Sequence, residues 1–188
     1  MKDRPVAGSL TLIVAGVSGS GKTTVGELLA AWLGWRFEDG DSLHPASNIA
    51  KMASGQPLTD EDRAPWLRRV GEWIDAQEAS GQPAIVACSA LKRRYRSRLL
   101  DDRPEVLMVF LEVGYEVVAR RLAARRGHFF NPELLSSQFA DLEQPAPDEA
   151  RVLRVPELDQ PEDTADEIIR RLGVLARLPS SWPPPGVP

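Results

Sequence analysis

One cysteine, Cys88, leaves no pair from which an internal disulfide could form. Two histidines, His44 and His128, are too few to build a zinc knuckle or a His-Glu-x-x-His helix around it. An excess of positive charge is also missing. The 23 lysines and arginines stand against 27 acids, for a formal net charge of -4 and a pI near 5.3. Such a chain has no global attraction for phosphate backbones or anionic lipid, so nucleic acid is disfavoured as the main partner, although a local basic site remains open. Long apolar runs are absent too. The N-terminal run "LTLIVAG" follows a charged start but is short, and it leads into a glycine-rich loop rather than a small-residue cleavage site. It reads as a buried strand, neither a signal peptide nor a membrane span, and the expected compartment is the cytoplasm. The 188 residues, 43% of them hydrophobic, suffice for one domain with a sizeable core.

That first strand is followed by Val25, Leu28, Leu29, Trp32 and Leu33 at helical spacing. The alternation recurs: "PAIVACSA" before Leu91, Tyr95 and Leu99, "VLMVFLEV" before Val117, Val118 and Leu122, "RVLRV" before Ile168, Ile169, Leu172 and Leu175. Strands buried on both faces and separated by helices predict a parallel sheet in a three-layer α/β fold. Thr59 and Asp62 form a capping-box pattern ahead of Trp66, Val70, Trp73, Ile74 and Gln77, although Pro65 allows the helix to begin near it instead. No internal repeat is found. A single domain over 1–178 is expected, with a proline-rich, poorly ordered tail at 179–188. The segment 127–147 interrupts the pattern with a short helix around Leu134–Leu142 between glycine and proline hinges, as a movable lid would.

Between the first strand and its helix lies Gly16-Val17-Ser18-Gly19-Ser20-Gly21-Lys22-Thr23, which satisfies G-x-x-x-x-G-K-[ST] in the required strand-loop-helix context, with Thr24 next in the helix. Its backbone amides and the helix N-terminus suit a polyphosphate. Lys22 reaches the terminal phosphates, and the Thr23 hydroxyl is a ligand for Mg2+. A dinucleotide site is a rival, since Asp39 and Asp41 lie about where a ribose-binding acid would, but the glycines read GxxGxG rather than GxGxxG. The guanine-nucleotide switch sequences D-x-x-G and N-K-x-D are missing.

The stretch "FEDGDSLHPASNIAKM" concentrates short polar side chains just after "WRF", a short second strand. A carboxylate at that strand end faces the phosphate loop, so Asp41 is assigned to orient an acceptor hydroxyl and take its proton; the alternative is that Asp39 or Asp41 caps the next helix. Pro45 suits a helix start near His44. His44, Asn48, Lys51 and Met52 then share one face, fit for a hydroxyl-rich ligand or simply for solvent.

These segments, with "GVSGSGKTT", "ACSALKRRYR", "ARRGHFF" and "SQFADLEQP" in the same order between about Leu10 and Pro161, resemble the gluconokinase family, relatives of the shikimate and nucleoside-monophosphate kinases. The resemblance implies a P-loop kinase fold with a small helical lid, ATP- and Mg2+-dependent phosphorylation of D-gluconate at its 6-hydroxyl, and a homodimer. Under that reading Arg63, Lys51 and Lys92 are candidates for the carboxylate of gluconate and His44, Asn48 and Ser89 for its hydroxyls. Arg121 and Arg125, spaced i and i+4 ahead of the lid, would clamp the transferring phosphate, and His128 is a further contact. In "LKRRYRSR", Lys92 is expected inward and most of Arg93, Arg94, Arg96 and Arg98 solvated; Cys88 is a small buried residue without catalytic role. Two other readings stay open: a kinase of another small polyol or sugar acid such as shikimate, and a nucleotide-binding regulator without turnover.

Overall fold

The computed structural model describes residues 10–124, 132–156 and 158–176. Within them five parallel strands form one sheet in the order β2-β3-β1-β4-β5. The strands are β1 (Thr11–Ala15), β2 (Arg36–Asp39), β3 (Ala84–Ala87), β4 (Val106–Glu112) and β5 (Val152–Pro156). The helices are α1 (Lys22–Leu33), α2 (Ala46–Ala53), α3 (Asp60–Ser80), α4 (Arg93–Leu100), α5 (Tyr115–Ala124), α6 (Pro132–Asp141) and α7 (Pro161–Ala176), with a 3-10 turn at Gly40–Leu43. No described helix is long and apolar enough to cross a membrane.

Pleating divides the apolar strand residues between two cores. Leu12 and Val14 of β1, with Ile85 and Val109, pack against Val25 and Leu29 of α1 and Ile168 and Leu172 of α7. Ile13 and Ala15, with Val86, Met108 and Phe110, pack against Trp66, Val70 and Ile74 of α3 and Tyr95 and Leu99 of α4. The neighbouring strands β1 and β3 therefore send their following helices to opposite faces of the sheet. This opens a crevice beyond their carboxyl ends, the usual ligand position in an open parallel sheet.

Several expectations gain detail. The second strand is longer than "WRF" and runs on to Asp39, which carries the acidic pair to the mouth of the crevice. Helix α3 begins at the Thr59 capping box, and Pro65 is accommodated inside it. The polar helix α2 starts at Ala46, with Pro45 as its N-cap and the 3-10 turn before it. Arg96, expected among the solvated arginines, is fully buried. Its guanidinium forks onto both oxygens of Glu149 and donates to the carbonyls of Leu91 and Glu143, so burial leaves none of its charge uncompensated. The residues after α6 are thereby fastened to α4. The tail at 179–188 lies outside the described residues.

Candidate active site

The phosphate loop runs from β1 into α1. Gly16, Gly19 and Gly21 all adopt positive φ, a backbone region costly for other residues. Helix α1 starts with no side-chain cap and no acid in its first turn, so its amides and its positive end are offered to an anion. Ser20 Oγ is buried inside the loop without a hydrogen-bond partner among the described residues, a cost that an added polar ligand would remove. The Lys22 ammonium donates to Val17 O at 2.9 Å, curled over the loop. Val17 is buried, and the loop is tied to the end of β3 by Gly16 N donating to Ser89 O at 3.3 Å.

Two cavities flank this loop. One, of about 290 Å³, is lined by Ser18, Lys22, Asp41, His44, Arg63 and Ser89 among others. The second, of about 450 Å³, lies on the other side and takes in Gly19, Ser20, Gly21, Thr24 and Arg121. The loop separates a chamber carrying a carboxylate and cations from a chamber running toward β5 and α7.

The two acids at the end of β2 and just beyond it divide the roles between them. Asp39 caps the 3-10 turn, accepting from Asp41 N at 3.0 Å with one oxygen and from the Thr23 hydroxyl at 2.9 Å with the other. Asp41 does not cap; its side chain is 71% exposed and faces the first cavity. The backbone that presents it is fixed from below. Gly40 packs so closely on β3 that a β-carbon there would fall 2.3 Å from Ala87 O. The indole of Trp66 donates to Gly40 O at 2.7 Å.

His44 is buried, stacked on Trp66 with ring centroids 4.3 Å apart. Asn48 donates one amide hydrogen to Asp62 O at 2.8 Å, and its Nδ2 stands 3.2 Å from His44 Nδ1. Because Asn48 Nδ2 can only donate, Nδ1 accepts and the neutral ring carries its proton on Nε2, which is 3.9 Å from Asp41 Oδ1. Burial lowers the His44 pKa below 6.5, Asp41 opposes that shift, and Arg63 adds to it. The unfolded chain therefore takes up this proton first as pH falls. The stability that neutral His44 contributes is complete above about pH 6.5 and is lost progressively below it. Urea unfolding at about pH 7.5 and about pH 5.5 checks this: wild type should lose more stability between the two than His44→Gln, and equal losses would contradict it.

At the far end of the cavity Arg63 donates to Asp141 at 2.8 Å, and Lys92 pairs with Asp141 at 3.0 Å and with Asp60 at 3.1 Å. Tyr95 and Arg94 also bond to Asp60, and together with Lys92 they hold its carboxyl well below the usual range. Burial alone would push the Asp141 pKa up and the Arg63 pKa down. Their hydrogen bonds outweigh it, so both remain charged.

The fold thus gathers Lys22, Asp41, His44, Arg63 and Ser89 around one chamber. Asn48 and Lys51 do not line it. Asn48 backs His44, and Lys51 is held by Asp62 at 2.5 Å. Lys92 stands behind Arg63 in the acid-paired cluster. Arg125 and His128 lie outside the described residues. Burial pushes the Cys88 thiol up to about 12, which makes it inert. Sequence reasoning missed Trp66, Asp60, Tyr95, Gln138 and Asp141 as site residues. The last two stand in "SQFADLEQP", with nothing in their spacing to link them to a loop 120 residues away.

The shikimate kinase family matches residues 18–173. The gluconokinase of Gluconobacter oxydans is 48% identical over 159 residues, 85% of this chain and 89% of the relative. The thermoresistant gluconokinase of Escherichia coli is 44% identical over 149 residues, 79% of this chain and 85% of the relative. Among solved structures, a gluconokinase from Sinorhizobium meliloti superposes with a TM-score of 0.80 at 43% identity, covering 93% of this chain and 96% of that one.

Proposed function

The chain belongs to the gluconokinase family, its domain matched by the shikimate kinase family, and on that premise we infer that it transfers the terminal phosphoryl group of ATP to D-gluconate, giving 6-phospho-D-gluconate. The observation that carries this reading is a single chamber lined by the phosphate-loop Lys22, the exposed carboxylate of Asp41 and Arg63, with Lys92 paired to Asp141 behind Arg63. A polyol acid fits such a chamber: its carboxylate goes to the cationic end and its terminal hydroxyl to Asp41.

The roles follow from position. The second cavity takes the nucleoside of ATP, its phosphates turning through the glycine loop onto the α1 N-terminus, where Ser20 Oγ gains a partner. Asp41 aligns the acceptor hydroxyl, whose oxygen bonds to the terminal phosphorus as the bond to the ADP oxygen breaks. The hydroxyl proton passes to Asp41 and from there to solvent. The neutral His44, its proton fixed on Nε2 by Asn48, donates toward Asp41 or a substrate oxygen and so narrows the carboxylate's orientation. Lys22 neutralises charge that builds on the phosphoryl oxygens. Mg2+, when bound, would supply positive charge against that of the phosphates. The Thr23 hydroxyl would hold it, and Asp39, which accepts from that hydroxyl, would orient it.

The test is ADP formation from Mg2+-ATP with D-gluconate, other aldonates, shikimate or glucose as acceptor. Turnover should depend on gluconate and exceed that with glucose, which lacks the carboxylate. Preference for shikimate would keep the fold and the transfer but discard the acceptor. ATP binding without turnover would favour a regulator.

A further inference from the structure

The first cavity has a wall that the roles above leave unused. Helix α6 lies across it, contributing Leu134, Leu135, Ser137 and Gln138. The helix is seated by Leu135, which is buried against Val17, Leu91 and Val118. Its polar residues reach both ends of the chamber. Asp141 pairs with Arg63 and Lys92 at the acceptor end. One turn earlier, Gln138 Oε1 accepts from Ser18 N at 2.7 Å.

Ser18 belongs to the phosphate loop and lines the chamber together with Lys22, Asp41 and Gln138. An amide there is a natural donor to an oxygen of the terminal phosphate. A phosphate oxygen is a stronger acceptor than a neutral carbonyl, because hydrogen bonds to charged groups are roughly twice as strong. A primary amide also carries two donors, so a half-turn about the last torsion of Gln138 presents its NH2 where its oxygen had been. We propose that Gln138 is a catalytic residue that touches the transferring phosphoryl group, exchanging its bond from the Ser18 amide for a donor bond to a phosphoryl oxygen between Lys22 and Asp41.

The proposal rests on the kinase reading above. In the transfer step Gln138 neither gains nor loses a proton. The acceptor oxygen forms the new bond to phosphorus, the bond to the ADP oxygen breaks, the acceptor proton goes to Asp41, and the Gln138 NH2 supports the oxygens on which charge is spread. It is a neutral counterpart to Lys22, on the side of the chamber that α6 closes.

Two substitutions separate this role from that of a strut between α6 and the loop. Gln138→Glu keeps an acceptor for the Ser18 amide but cannot donate and repels phosphate; Gln138→Ala removes both functions. Loss of one preorganised donor costs about 10²–10³-fold in kcat. Both variants should show a fall of that order, with thermal midpoint and gluconate KM close to wild type. A strut predicts instead that kcat in the alanine variant falls only together with its thermal midpoint, and that result, or normal kcat in the alanine variant, overturns the proposal. The ratios are read with whichever acceptor wild type phosphorylates, so a wrong acceptor tells against the functional reading and leaves Gln138 testable. A wild-type protein without turnover on any acceptor overturns both.

Discussion

Asp41→Asn should lower kcat by about 10²–10⁴-fold, the range for a positioned acid-base group, while ATP affinity stays near wild type. The expectation rests on what the structure leaves Asp41 free to do. Its neighbour Asp39 already caps the turn and engages Thr23, so the exposed Asp41 carboxylate has no structural bond to lose. Asparagine has the same shape, and the segment is held by Gly40 on β3 and by the Trp66 indole, so the loop keeps its course. What disappears is the negative charge proposed to draw the acceptor proton. Steady-state kinetics with a parallel ATP-binding measurement decide the matter. A variant with wild-type kcat would remove Asp41 from the chemistry, and one with lost ATP affinity would recast it as part of the nucleotide site.

Lys22→Ala should impair both halves of the reaction. The ammonium sits within the phosphate loop, 2.9 Å from Val17 O, and lines the chamber that Asp41 faces. From this position it can turn from a neutral carbonyl to an anionic oxygen of the terminal phosphates. Removing it eliminates a full charge where negative charge accumulates, so kcat should fall by at least about 10²–10³-fold, with a raised KM for ATP. The loop should keep its shape, since its glycines and the Gly16–Ser89 bond carry the backbone. Normal kinetics in this variant would undo the phosphate-loop assignment, and with it the placement of both substrates.

The parts of this site that were legible in the sequence are those whose chemistry is local. The phosphate loop is a contiguous run with a backbone requirement at its glycines, and the alternation of apolar strand and amphipathic helix predicts the parallel sheet directly. Asp41 was legible because a strand end and a motif coincided there. The division between Asp39 and Asp41 was not, because either acid can cap a turn, and only the coordinates show which one does. Asn48 and Lys51 share a helical face with His44, but the period of a helix does not say which of its residues reaches the cavity. Asn48 ends behind the His44 ring, and Lys51 ends on Asp62. Arg96 looked like one of a solvated run because its partners, Glu149 and the carbonyl of Glu143, come from residues far along the chain. Gln138 and Asp141 were invisible for the same reason. Their meaning lies in contacts with Ser18, Arg63 and Lys92, which only the folded chain brings near.

The central claim is that one chamber couples the phosphate loop to a gluconate hydroxyl. The most direct measurement is phosphorus NMR of the products formed from Mg2+-ATP and D-gluconate, with Lys22→Ala as the blank. One phosphomonoester on carbon 6, formed in step with ADP and absent from the blank, is the predicted result. ADP without a phosphorylated sugar acid, or a product formed equally by the blank, would contradict it.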